Sequence, residues 1–256
     1  MDFSIIQNVR SQQPLIHHLT NQVVMNFTAN GLLSFGGVPI MAKAVEEVAD
    51  IATIADGVLI NIGTLTPAEV PAMILAGKTA NDRNIPVVLD PVGVTATPFR
   101  SSMVHQLLKE VQPTAIKGNA GELAHLAGIP WKSKGVDSIG DGNTEEVAIK
   151  VAEVYETTAV LTGKTDIICS GTKLMHNQLG NDILTKVTGA GCLLGSLLTA
   201  CFTTDDSIDK QALTAVSFYG LAAHHVATKP EVNGPGTFIP HFIDALSMSM
   251  DKLGGS

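Results

Sequence analysis

Gly57-Val-Leu-Ile-Asn-Ile-Gly63 is a short apolar run that stops on a glycine. Polar and apolar residues do not alternate along it. Continuous aliphatic runs bounded by turn residues suit parallel strands covered on both faces. Three later stretches read the same way: Pro86-Val-Val-Leu-Asp90, Thr114-Ala-Ile-Lys-Gly-Asn119 and Ala159-Val-Leu-Thr-Gly163. Helical patterns separate them. Pro67 to Asn81 is expected to open on Thr66 as N-cap, with Pro67 where a missing N–H does no harm. Thr144 to Tyr155 is expected to be capped by Thr144, with Glu145 and Glu146 suiting the positive end of the helix dipole. Strand and helix in alternation predict a doubly wound, mostly parallel α/β sheet.

After Thr165 the rhythm changes. Thr165 to Gln178 carries short alternating stretches around Ser170-Gly171, which predicts an antiparallel hairpin. Long helical patterns follow at Gly189 to Phe202, Ser207 to Thr228 and Pro240 to Met250. No linker, repeat or low-complexity segment interrupts the chain, so residues 1–256 are expected to form one domain.

The composition excludes several classes. Hydrophobic residues make up 45% of the 256, too many for a disordered chain. Charged residues are 16%, below the roughly 25% of an average soluble domain, and the net charge is -8. An acidic balance argues against a nucleic-acid groove. The first residues lack the basic and long apolar regions of a signal peptide, and no apolar run reaches the roughly 20 residues needed to span a bilayer. Three cysteines without a Cys-x-x-Cys pair fit reduced thiols in a cytoplasmic protein.

Ligands of such sheets bind beyond the carboxyl ends of the strands. That rule gathers Asn61-Ile-Gly-Thr64, Asp90-Pro-Val-Gly93, Lys117-Gly-Asn119 and Thr162-Gly-Lys164 on one rim. Gly77-Lys78-Thr79 and Gly163-Lys164-Thr165 echo a P-loop, but the earlier glycine that motif needs is replaced by Ala72 and Thr158. The richest motif is Lys186-Val-Thr-Gly-Ala-Gly-Cys-Leu-Leu-Gly195. Gly189, Ala190, Gly191 and Cys192 open a long helix there. Either their free amides receive an anion, or the glycines simply close a turn. A thiol at Cys192 is either lowered toward neutrality by the helix start or buried and inert.

Asp90 ends a strand, where its carboxylate suits Mg²⁺ through water, or a turn before Pro91. Glu122 falls in the first turn of the next helix, as a ligand manager or a dipole partner. His17-His18 and His224-His225 are adjacent pairs, whose members cannot share a face, so a histidine metal site is not expected. His17, Thr20 and Asn21 lie in a polar break after Pro14 that either lines a small pocket or packs as a loop.

Taken in order, Pro14-Leu-Ile-His-His-Leu-Thr-Asn21, Met25-Asn-Phe-Thr-Ala-Asn-Gly31, Pro39-Ile-Met41, Asp90-Pro-Val-Gly93, Lys117-Gly-Asn-Ala-Gly-Glu122 and Val187-Thr-Gly-Ala-Gly-Cys192 resemble the hydroxyethylthiazole kinases. The wider ribokinase-like superfamily usually ends the last motif in Asp. The resemblance implies a three-layer α/β/α ribokinase-like fold and a thiamin-salvage enzyme. Such an enzyme moves the γ-phosphoryl of ATP to the hydroxyl of 4-methyl-5-(2-hydroxyethyl)thiazole with Mg²⁺. It also implies a cytoplasmic homotrimer with active sites at subunit interfaces. Carried over, Asn21, Val23, Met41, Gly63 and Gly189 become thiazole contacts. Lys117, where many relatives have Arg, and Thr162 become ATP contacts. Asp90 and Glu122 become the magnesium pair. Gly189, Ala190 and Gly191 become the anion hole, with Cys192 at the base position. The alternatives are a hydroxymethylpyrimidine kinase or an ATP-dependent hydrate dehydratase, both expected to carry Asp in place of Cys192, or a non-catalytic nucleotide sensor on the same fold.

Overall fold

The computed structural model describes residues 1–131 and 142–254. Among them, eight strands form a single sheet: β1 (Leu15–Leu19), β2 (Val38–Ile40), β3 (Gly57–Asn61), β4 (Val87–Asp90), β5 (Ala115–Asn119), β6 (Thr158–Thr162), β7 (Asp166–Ser170) and β8 (Lys173–Asn177), in the order β2-β1-β3-β4-β5-β6-β7-β8. Pairing is parallel through β6, and β6, β7 and β8 pair antiparallel. The four strands and the hairpin expected from the sequence are therefore present.

Helices cover both faces. On one lie α1 (Phe3–Gln12), α2 (Met25–Phe35), α8 (Ala190–Cys201), α9 (Ile208–Ala227), α10 (Pro235–Leu246) and the short α11 (Met250–Leu253). On the other lie α3 (Val48–Ile54), α4 (Val70–Asp82), α5 (Pro98–Glu110), α6 (Ala120–Ala127) and α7 (Thr144–Tyr155). Period-two alternation explains the division. Leu59 and Val88 enter the first apolar core, while Val58, Ile60, Val87 and Leu89 enter the second. Both cores claim residues of the same strands, so those strands need apolar side chains throughout.

The same alternation splits the histidine pair. His18 bonds Ser196 of α8 at 2.8 Å, and His17 bonds the Ala42 carbonyl at 2.8 Å. The stretch after Pro14 is thus a buried strand rather than a polar break. Its imidazoles find partners that the sequence does not display.

Three helix boundaries differ from expectation. Helix α4 begins at Val70 with Pro71 in its first turn, because Glu69 accepts from both the amide and hydroxyl of Thr66 and holds a separate turn there. Asn143, not Thr144, caps α7 by accepting from the amides of Glu145 and Glu146. Helix α10 starts at Pro235, which takes the tolerated first position and leaves Pro240 in the interior.

Candidate active site

Parallel register brings the rim together. Asn61 pairs across the sheet with Asp90, and Asn119 with Thr162, so the last residues of β3 to β6 stand side by side. The N-terminus of α8 faces them. Gly189 caps that helix at φ +88°, and a Cβ there would lie 2.5 Å from Val24, so glycine meets both a conformational and a steric demand.

A continuous polar network crosses the site. Lys117 Nζ donates to Asp90 Oδ2 at 3.0 Å and to the Gly191 carbonyl at 2.9 Å. Asn61 Nδ2 donates to the same Asp90 oxygen at 2.8 Å. Asn61 Oδ1 accepts from Asn21 Nδ2 at 2.9 Å and from the Gly63 amide at 3.0 Å. Asn21 Nδ2 also reaches Cys192 Sγ at 3.6 Å. Gly63 lies flush against Asn21, since a Cβ at this position would stand 2.6 Å from its nitrogen. Asp90 Oδ1 is buried and has no hydrogen-bond partner.

Glu122 is engaged differently. One carboxylate oxygen accepts from the Gly93 amide at 2.8 Å and the other from the Asn119 amide at 2.9 Å. Asn119 in turn accepts from the Glu122 amide, completing a capping box that starts α6. The helix-start role is real, and it also ties the loop after β4 to β5. Thr162 Oγ1 donates to the Gly118 carbonyl at 3.3 Å. Met41 is half-buried beyond β2, and Val23 is 68% exposed, apart from the buried network.

The amides of α8 are not all free. Ala190 N donates to the Val187 carbonyl at 3.2 Å, which leaves Gly191 and Cys192 as the first-turn donors without an intrahelical acceptor. Two side chains draw the helix's first carbonyls inward: Lys117 takes that of Gly191, and Tyr219 Oη takes that of Ala190 at 2.6 Å.

Burial sets the protonation states. Burial and the neighbouring Asp90 carboxylate push the Cys192 thiol above its ordinary value, and Lys117, Asn61 and Asn21 only partly oppose them. Of the two readings open from the sequence, the buried thiol holds and the helix-start lowering is overridden, because Cys192 is only 8% exposed and feels the Asp90 carboxylate. Burial also raises Asp90 against the pull of Lys117 and Asn61. For Glu122, burial and Asp90 raise the carboxyl against its two backbone donors. Burial works against the Lys117 ammonium, but Asp90, Cys192 and Glu122 outweigh it and hold the proton on lysine.

Three contributors were not singled out as site residues from the sequence. Asn61 was noted only as part of the rim. Arg100 donates to the carbonyls of Ile62 (2.7 Å), Gly63 (2.7 Å) and Val92 (3.0 Å), stapling the loops after β3 and β4. Its signal was a cation in the first turn of a helix, where the dipole disfavours one. Tyr219 is a buried tyrosine in an apolar helix, a setting in which the hydroxyl needs a partner.

Among the described residues, no group of three or more His, Cys, Asp or Glu is arranged to hold a metal ion. None of their helices is long and apolar enough to cross a membrane.

This architecture, with its polar rim facing a glycine-capped helix, is the ribokinase-like α/β fold. A ribokinase-like superfamily protein from Enterococcus faecalis superposes with a TM-score of 0.67 at 12% identity, covering 96% of this chain and 94% of that one, a likeness of fold alone. The chain belongs to the hydroxyethylthiazole kinase family, whose profile matches residues 6–251. It is 58% identical to hydroxyethylthiazole kinase 1 of Oceanobacillus iheyensis over 253 residues, 99% of this chain and 98% of the relative. The hydroxyethylthiazole kinase structure from Pyrococcus horikoshii matches at a TM-score of 0.86 and 34% identity, covering 96% and 93% of the two chains.

Proposed function

We propose that the chain transfers the γ-phosphoryl group of ATP to the hydroxyl of 4-methyl-5-(2-hydroxyethyl)thiazole in thiamin salvage. The observation that carries this reading is the network from Lys117 through Asp90, Asn61 and Asn21 to Cys192. It sets an acceptor-side thiol and a phosphate-side ion pair against one helix start. Phosphoryl transfer asks chiefly for positioning and charge stabilisation. The first-turn amides of Gly191 and Cys192, with the α8 dipole behind them, suit the charge that develops on the transferred group.

Cys192 orients the acceptor hydroxyl rather than removing its proton early. A thiol raised by burial is mostly protonated near neutral pH, and a loose transition state needs little early deprotonation. Asn21 and Met41 provide polar and apolar contacts for a neutral thiazole, with Gly63 letting Asn21 pack flush against its backbone. Val23 and Gly189 complete that side. Val23 is uncovered in a single chain, which suits a homotrimer with sites at its interfaces. Thr162 and Lys117 serve the nucleotide side. Lys117, already bound to Asp90 and Gly191, acts as a fixed positive charge rather than a reaching arm.

Magnesium fits the residues present. Two carboxylates and one ammonium leave the phosphate side net negative, and Asp90 Oδ1 is an unpartnered buried oxygen. Asp90, with Glu122 behind it, would hold the ion mainly through water and phosphate oxygens, as Mg²⁺ prefers. When bound, the ion supplies neutralisation of phosphate charge.

The test is ADP release measured with hydroxyethylthiazole against hydroxymethylpyrimidine as acceptor. Thiazole-dependent release is expected. Release with the pyrimidine alone would overturn the assignment. Light scattering of the purified protein tests the trimer.

A further inference from the structure

We propose that Asn61 is a positioning residue that joins the two halves of the site: its amide nitrogen decides which Asp90 oxygen stays open, and its amide oxygen decides how Asn21 meets Cys192. This rests on the reading that Asp90 serves the phosphate side and that Asn21 and Cys192 serve the acceptor side.

The geometry admits one orientation of the Asn61 amide. Its oxygen receives two N–H groups, from Asn21 and Gly63, where a nitrogen would face donors. Its nitrogen faces Asp90, which when ionised can only accept. Both residues are 1% exposed, so water does not substitute for either bond. On the phosphate side, Asn61 and Lys117 both donate to Asp90 Oδ2. The carboxylate cannot leave this orientation without losing two charge-assisted bonds, and Oδ1 is thereby kept unpartnered. On the acceptor side, the Asn21 NH₂ has two hydrogens. One goes to Asn61 Oδ1, and the other direction is left for Cys192 Sγ. The short wall at Gly63 keeps Asn21 in that place. One amide thus sets the phosphate-side oxygen and the acceptor-side thiol in a common frame.

Two substitutions separate the halves. Asn61→Asp keeps an oxygen for Asn21 and Gly63 and replaces the donor to Asp90. Asn61→Ala loses both. Thiazole affinity is read by calorimetry without nucleotide or metal, and kcat is read by ADP release at saturating substrates. For Asn61→Asp, thiazole Kd is expected within about threefold of the parent while kcat falls by about tenfold or more, the scale of a lost bond to a charged group. For Asn61→Ala, kcat falls similarly and thiazole binding weakens by about tenfold. A kcat within about threefold of the parent in either folded variant overturns the proposal. So does an Asn61→Asp protein that loses thiazole as fully as Asn61→Ala. If circular dichroism shows the Asp variant unfolded, the Ala variant decides: unchanged Kd and kcat overturn the proposal, and loss of both at an unchanged Tm supports it. A parent protein without thiazole-dependent ADP release overturns the kinase reading and this proposal together. An active parent with an indifferent Asn61 overturns this proposal alone.

Discussion

Lys117 Nζ sits 3.0 Å from Asp90 Oδ2, and the two side chains are only 5% and 1% exposed. A buried pair of this kind costs most when one partner is removed, because the other is left charged away from water. Lys117→Met is therefore expected to lower unfolding stability by about 3–5 kcal/mol in urea titration. Combining it with Asp90→Asn should return much of that stability without returning activity. A Lys117→Met protein as stable as the parent would show that the pair contributes nothing to folding.

Asp90 also answers for the open oxygen. Asp90→Ala is expected to raise the Mg²⁺ concentration needed for half-maximal rate. An unchanged Mg²⁺ titration would remove Asp90 from the metal's surroundings.

For Cys192, substitution by Ala is expected to lower kcat by no more than about 10⁴-fold, the upper range for general-base help. Cys192→Asp should retain activity, and an inactive but folded Asp variant would contradict that. The thiol is raised above its ordinary value, so kcat of the parent should show no inflection from its ionisation between about pH 6 and 8. An inflection there that vanishes in Cys192→Ala would assign the thiolate a direct role.

Arg100 holds three carbonyls from two loops with one planar fork. Arg100→Lys presents a point charge instead and cannot reproduce that pattern. It should cost roughly 2 kcal/mol of stability and raise KM for thiazole more than it lowers kcat, because Gly63 rides on the clamped loop. Equal loss in both kinetic constants would argue against a role confined to that loop.

His18 gives a pH dependence of folding. Burial, only partly opposed by its bond to the Ile16 carbonyl, pushes the imidazole from 6.5 down to about 4. The unfolded chain therefore binds the extra proton first. The contribution is fully present above about pH 6.5 and is lost as pH falls toward 4, on the order of 3 kcal/mol across the window. Urea midpoints from pH 7 to 4.5 should fall more steeply for the parent than for His18→Gln.

The central strands were legible because burial on both faces leaves an unbroken aliphatic signature, as in Val87 to Leu89. Strand β1 was hidden because His17 and His18 carry polar atoms whose partners, Ala42 and Ser196, lie far along the chain. Asp90, Glu122, Lys117, Asn21 and Cys192 stood out as rim residues or through resemblance, and the fold places them around one helix start. Their relations did not stand out. That Lys117 grips Asp90, that Asn61 stands between Asp90 and Asn21, and that Cys192 is buried beside a carboxylate are facts of register and packing. The choice between the two readings of the Cys192 thiol is made by packing too: a helix-start effect is local, whereas burial is tertiary.

Helix α8 has eleven of its twelve residues buried. Such an element exchanges its amide hydrogens only when much of the molecule opens. The start of α8 is therefore a fixed wall against which the polar rim is set. Val23, which is 68% exposed, and the half-buried Met41 lie outside that fixed frame.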